Sequence, residues 1–203
     1  MFYDQQEKVT YTTVTFPSDN KFTWHYFKDD LKKLLLDLLE NKTLEKIYVG
    51  LAGYLDCEVR DPNYFDFSSF GGNILMIFSD DIALEIAIHS KGMISHRTHD
   101  VSALEFHTVT DTPPSDYILS DAYFFDLENE FEYSFESTQI EDIIVYGTDT
   151  YCFYMEGFDE EKATLAMYQN LLPGGISFIL SNDIEISFIG DNIENFYIYI
   201  EKL

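Results

Sequence analysis

Hydrophobic and polar residues alternate along many short stretches of this chain, as they do in strands with one buried face. The alternation predicts strands near residues 8–16, 44–52, 73–79, 82–89 and 92–97, and again near 103–110, 140–147, 175–181, 184–190 and 195–201. A spacing of three and four predicts a helix over 20–41, with Leu31, Leu35 and Leu39 on its apolar face. An additional strand is expected at 151–155 and a helix at 158–172.

Several of these segments recur in the same order. TVTFPSD at 13–19 returns as TVTDTPPSD at 108–116, and IFSDD at 77–81 corresponds to ILSND at 179–183. This order predicts a tandem duplication, because internal repeats of this length are typical of duplicated domains. The expected units are residues 1–97 and 98–203, joined near 98–102 and packed together as a pseudo-dimer.

The duplication leads to a predicted fold class of α+β. Each unit is expected to contain a strand, a helix, a second strand and a three-stranded meander, giving mainly antiparallel sheets that each carry a packed helix. By analogy with the first unit, residues 119–137 are predicted to form the second helix, although Glu128, Glu130 and Glu132 alternate locally as they would in a strand. Phe124, Leu127, Phe131 and Phe135 would then face the core.

Charge is distributed unevenly between the predicted units. The net charge is −25, and residues 1–97 carry 15 acidic and 10 basic residues, against 22 and 2 in residues 98–203. Nucleic acids and anionic membranes require a basic surface, so binding to either is not expected. Glu128, Glu132 and Glu136 would share one face of the predicted second helix, near Asp121. This face is interpreted as solvated surface, as a docking surface for a basic protein or as a site for a divalent cation.

Aromatic residues make up 17% of the chain, which indicates a packed core. Tyr64, Phe65 and Phe67 lie in a segment predicted to be a loop. They are interpreted as a cover over the edge of the core or as an exposed contact patch.

Residues with catalytic or metal-binding potential form no recognised motif. His89, His96, His99 and His107 lie close in sequence without a metal-ligand pattern and are interpreted as surface and hairpin residues. Cys57 and Cys152 are interpreted as reduced thiols among apolar residues. No catalytic residue, metal ligand or cofactor is therefore predicted. The start of the sequence resembles no secretory signal and no apolar stretch reaches ~18 residues, so a cytoplasmic protein is expected.

Three functions remain open from the sequence. The first is a non-catalytic protein-binding module for a basic partner. In composition, the chain resembles bacterial immunity proteins that neutralise nuclease toxins, although no motif carries the resemblance. The second is a small-molecule-binding protein or small enzyme with its site between the two units. The third is a structural protein that oligomerises; a monomer or a homodimer is expected.

Overall fold

The structure is a computed structural model that describes residues 9–18, 21–53, 64–89, 93–111, 123–130, 134–135, 137–149, 159–190 and 195–203. Strands dominate these residues. The strands are β1 (Val9–Thr15), β2 (Thr23–His25), β3 (Thr43–Gly53), β4 (Tyr64–Phe78), β5 (Ile82–His89), β6 (Met93–Asp100), β7 (Glu105–Asp111), β8 (Tyr123–Asp126), β9 (Thr138–Thr148), β10 (Leu172–Leu180), β11 (Ile184–Gly190) and β12 (Asn195–Lys202). The helices are α1 (Lys28–Leu39), α2 (Leu127–Glu130) and α3 (Glu160–Tyr168), and Val101–Ala103 form a 3₁₀ turn.

The strands form one antiparallel sheet in the order β2-β6-β5-β4-β12-β11-β10-β9-β3-β8-β1-β7. Strand β4 is long enough to pair twice: residues 64–68 pair with β12, and residues 69–78 pair with β3. The pairings β4-β12-β11-β10-β9-β3 therefore return to β4 and close a ring of six strands. Two stretches of the chain, β3 to β6 and β9 to β12, each run as a four-stranded meander.

Alternation along the ring strands supplies the main core. One face of these strands carries branched aliphatic and aromatic side chains that are almost completely buried, because successive side chains of a strand point to opposite faces. This cluster includes Ile47, Ile74, Phe178, Phe188 and Ile198.

Helix α1 packs into the same cluster. Leu31, Leu35 and Leu39, spaced four apart, are all buried there, which confirms the apolar face predicted from their spacing. The helix begins at Lys28 rather than near residue 20, because residues 23–25 form strand β2 against β6. Asp29 and Asp30 lie in its first turn, where carboxylates stabilise the positive end of the helix dipole.

The predicted second helix at 119–137 is wrong. Tyr123–Asp126 form strand β8, which pairs with β1 and β3, and α2 contains only four residues. Phe124 is fully buried, but between strands, where its ring lies 5.9 Å from that of Phe16. Aromatic side chains favour a buried strand position, so tertiary pairing overrides the analogy with α1.

The predicted fold class is therefore corrected. A tandem duplication with a packed helix on each sheet does not describe the molecule. Strands from both predicted units interleave in one sheet, and among the described residues the second unit has no long helix that corresponds to α1. The division into 1–97 and 98–203 stays a prediction.

Three further predictions concern the helix at 158–172, the aromatic loop and the strand at 151–155. Helix α3 confirms the helix expected within 158–172, and the side chain of Asp159 caps its first turn by accepting the N–H of Lys162 at 3.1 Å. The predicted aromatic loop is wrong, because β4 already begins at Tyr64. The additional strand expected at 151–155 lies outside the described residues.

Candidate functional site

The predicted partner-binding residues lie only partly within the described residues, so the prediction that they form one surface stays a prediction. Tyr64, Phe65 and Phe67 lie on β4, opposite Tyr199, Ile198 and Phe196 of β12, so their backbone belongs to the closed ring rather than to a loop. Asp121, Glu132 and Glu136 lie outside the described residues.

Glu128 has a local structural role. It lies at the second position of α2 and is only partly exposed. Its carboxylate Oε1 accepts the backbone N–H of Phe135 at 2.5 Å, and its own N–H donates to Asp126 Oδ1 at 3.1 Å. A carboxylate that satisfies a backbone donor stabilises the chain where it leaves α2. Among the described residues α2 is one turn long, and the acidic face expected from Glu128, Glu132 and Glu136 stays a prediction.

A different group of carboxylates gathers at one end of strands β9 to β12. We name it the acidic strip; its members are Glu141, Asp183, Glu185 and Glu201. Glu185 is partly exposed and the other three are exposed. Among the described residues, none of the four forms an ion pair. The neighbouring Asp142 is neutralised by Lys32 of α1 at 2.9 Å, and this hydrogen bond lowers the pKa of Asp142.

Glu185 and Glu201 are directly opposite each other on β11 and β12. Their neighbours Ile184, Ile186 and Ile200 point into the core, so both carboxylates lie on the outer face of the sheet. The Ser187 hydroxyl donates to Glu185 Oε1 at 3.1 Å. Like charges in such a cross-strand pair destabilise a sheet. The chain therefore maintains a local concentration of negative charge that a bound cation would relieve.

A buried charged cluster lies on the other meander. Glu85 of β5 is completely buried, and its carboxylate accepts from Asn73 Nδ2 at 3.0 Å, Arg97 Nε at 2.5 Å and His99 Nε2 at 3.0 Å. The Arg97 guanidinium also lies over the ring of Phe16 at 4.6 Å. This cluster is not evident from the sequence, because only the β5–β6 register places Glu85 opposite Arg97.

The described histidines are mostly not surface residues. His99 is 5% exposed, and His96 packs against His25, with His25 Nε2 only 2.6 Å from His96 Nδ1. Burial, and then the proximity of His96, lowers the pKa of His25 to about 4. Only His107, on β7, is exposed, and the side chain of His89 lies outside the described part.

A cleft of about 440 Å³ opens where β6 ends. Its walls combine apolar side chains with the polar end of the strand, and it is lined by Pro17, Leu38, Ile82, Thr98, His99, Asp100 and Ala103. It coincides with the position near 98–102 at which the sequence predicted the junction between units.

No family model, curated protein or solved structure matches the chain. Within the described ranges, no group of three or more histidine, cysteine, aspartate or glutamate side chains is arranged to hold a metal ion. None of the described helices has the length and apolar character needed to cross a membrane. Cys57 and Cys152 lie outside the described residues.

Proposed function

We propose that this protein is a non-catalytic binding module for a basic protein, with the acidic strip as part of its docking surface. The observation that carries the proposal is the cross-strand pair Glu185 and Glu201, two acidic residues in register that form no ion pair with any described lysine or arginine. A partner that places a lysine or arginine there gains a charge-assisted contact and removes a repulsion.

The charge of the whole chain supports the same reading. Residues 98–203 hold 22 acidic and 2 basic residues, so the field around this part of the chain attracts cations before contact is made. Such a field mainly raises the association rate and rejects acidic competitors. An inhibitor of a cationic toxin or nuclease, of the immunity type, would use these properties, and that is the class of partner we propose.

A capped decalysine peptide is a suitable probe of the surface. We expect its binding, measured by calorimetry and by amide chemical shifts, to perturb β11 and β12 and to weaken as salt is raised. The double variant Glu185→Gln/Glu201→Gln should bind about three- to tenfold more weakly, which corresponds to about 1 kcal/mol.

The matched control is Glu160→Gln/Glu161→Gln, which removes two exposed carboxylates from the first turn of α3. It removes the same two negative charges at a different place. Equal losses of affinity in both double variants would show that binding follows net charge alone, and the acidic strip would then have no special role.

The cleft at the end of β6 favours small-molecule binding as a second candidate function. A half-polar cavity of about 440 Å³ is within the size range of ligand sites. A compound that occupies it should raise the unfolding temperature by an amount that grows with the ratio of its concentration to its Kd, and Ala103→Leu should reduce that shift by narrowing the cleft. A compound whose shift is unchanged in Ala103→Leu binds elsewhere, and the cleft would lose its support.

A further inference from the structure

Strand β7 forms one border of the sheet. All seven of its residues pair with β1, from Thr15 opposite Glu105 to Val9 opposite Asp111, without a bulge. On its other side, β7 has no partner strand among the described residues. Alternate residues of an antiparallel strand direct their N–H and C=O groups away from the paired neighbour. Strand β7 thus presents a regular row of backbone donors and acceptors.

Within the part of the chain that the structure describes, this edge lacks the usual protection. Natural sheets protect their edges with short strands, lysine, proline or bulges. The opposite border of this sheet follows that rule, since β2 is three residues long. Strand β7 is more than twice as long, its sequence EFHTVTD contains neither lysine nor proline, and its register is unbroken. An open edge of this kind is a template for strand addition.

Charge decides between the possible occupants. If two copies paired antiparallel through β7 about Thr108, Glu105 of each copy would lie opposite Asp111 of the other. The pair of strands would then contain two such pairs of like charges. Like charges directly opposite each other destabilise such a pair. The chain carries no lysine or arginine from Thr98 through Glu161 that could compensate nearby in sequence. An extended segment with basic side chains would instead be attracted electrostatically to these two acidic positions.

We infer that β7 binds an extended, lysine- or arginine-containing segment of the partner as an added strand. This inference rests on the proposed function, because it assumes a basic partner, and it adds the mode of recognition. Backbone hydrogen bonds along β7 would supply affinity, and the acidic positions at both ends of the strand would select basic side chains.

The probe is a capped seven-residue peptide of alternating lysine and valine. Its control has the same composition and charge, but every second residue is a D-amino acid, which prevents regular strand pairing. We expect the all-L peptide to bind at least tenfold more tightly and to slow hydrogen exchange of the β7 amides at least tenfold. Glu105→Lys should weaken binding at least threefold, whereas Asp37→Lys, at an exposed position on α1, should change it much less.

The possible results separate this inference from the proposed function. Equal binding of the two peptides, or an unchanged exchange rate in β7, would overturn strand addition while leaving attraction to a basic partner intact. If the all-L peptide binds tightly at β7 and Glu185→Gln/Glu201→Gln does not change its affinity, strand addition is supported. The acidic strip would then have no role in binding. Concentration-dependent dimerisation that protects β7 without peptide would identify a second copy as the occupant and overturn the inference.

Discussion

Acidification should destabilise this protein through His25. The ring is 8% exposed and lies against His96 between β2 and β6, so a proton on it would be poorly solvated and would face a second imidazole. These two effects, with burial the larger, lower the pKa of His25 from 6.5 to about 4. Burial also lowers the pKa of His96.

The size and sign of the effect follow from proton linkage. An unfolded chain binds a proton at His25 near pH 6.5, whereas the folded chain binds it only near pH 4. His25 therefore leaves the free energy of unfolding at its full value above pH 6.5, and it lowers that free energy as the pH falls from 6.5 to 4. Below pH 4 its penalty is constant. A shift of this size corresponds to about 3 kcal/mol in total, with a slope approaching 1.4 kcal/mol per pH unit.

Urea unfolding between pH 7.5 and 4.5 measures this dependence, and the single tryptophan, Trp24, is a natural reporter because it adjoins His25. His25→Gln retains hydrogen-bonding capacity but cannot titrate, so most of the slope should disappear. His107→Gln, at an exposed position on β7, should keep it. If His25→Gln unfolds with the same pH slope as the unmodified protein, the assignment of acid sensitivity to this pair is incorrect.

Three further expectations concern packing and charge. Arg97→Met should lower the free energy of unfolding by about 3–5 kcal/mol in urea titrations, because the buried carboxylate of Glu85 loses its charged partner; a loss below 1 kcal/mol would contradict this. Gly50→Ala should cost about 1–3 kcal/mol, since a Cβ there would lie 2.7 Å from Phe124 Cε1, and Phe124→Leu should restore part of that loss when the two changes are combined. Glu201→Gln should raise the free energy of unfolding by about 0.2–1 kcal/mol at low salt by removing one of two facing carboxylates, and a gain that persists unchanged in 1 M NaCl would exclude this electrostatic cause.

Local patterns in the sequence determine much of the strand content. The strand near 184–190 was predictable because Ile184, Ile186 and Phe188 form one buried face, which appears in the sequence as alternation. The strands near 44–52 and 82–89 were predictable as short apolar segments, although consecutive residues in them are buried. The error at 119–137 arose because the inferred duplication transferred the helix of the first unit to a segment whose own alternation was strand-like. Only the pairing of Tyr123–Asp126 with two other strands decides between these possibilities.

The candidate site was much less predictable than the strands. The sequence shows that the second half is acidic, but not which carboxylates meet. Glu185 and Glu201 become neighbours only through the register of β11 and β12, and Glu85 meets Arg97 only through the register of β5 and β6. The register of two strands is set by the turn between them and by the packing of their side chains. A shift of one residue would separate the members of either pair.

The closed ring has a consequence for how the chain reaches its native state. Residues 64–68 of β4 pair with β12 alone among the described strands, and Tyr64 and Tyr199 are 135 residues apart in sequence. To close the ring, the chain must bring together two strands that are separated by this long segment. The conformational entropy lost in closing such a loop is compensated only after β4 and β12 have paired. Folding dominated by such distant contacts is slow, on the order of milliseconds to seconds. Until β12 pairs with β4, a folding intermediate would expose an edge of β4 to other chains and could aggregate through it. The refolding yield should therefore fall as protein concentration rises.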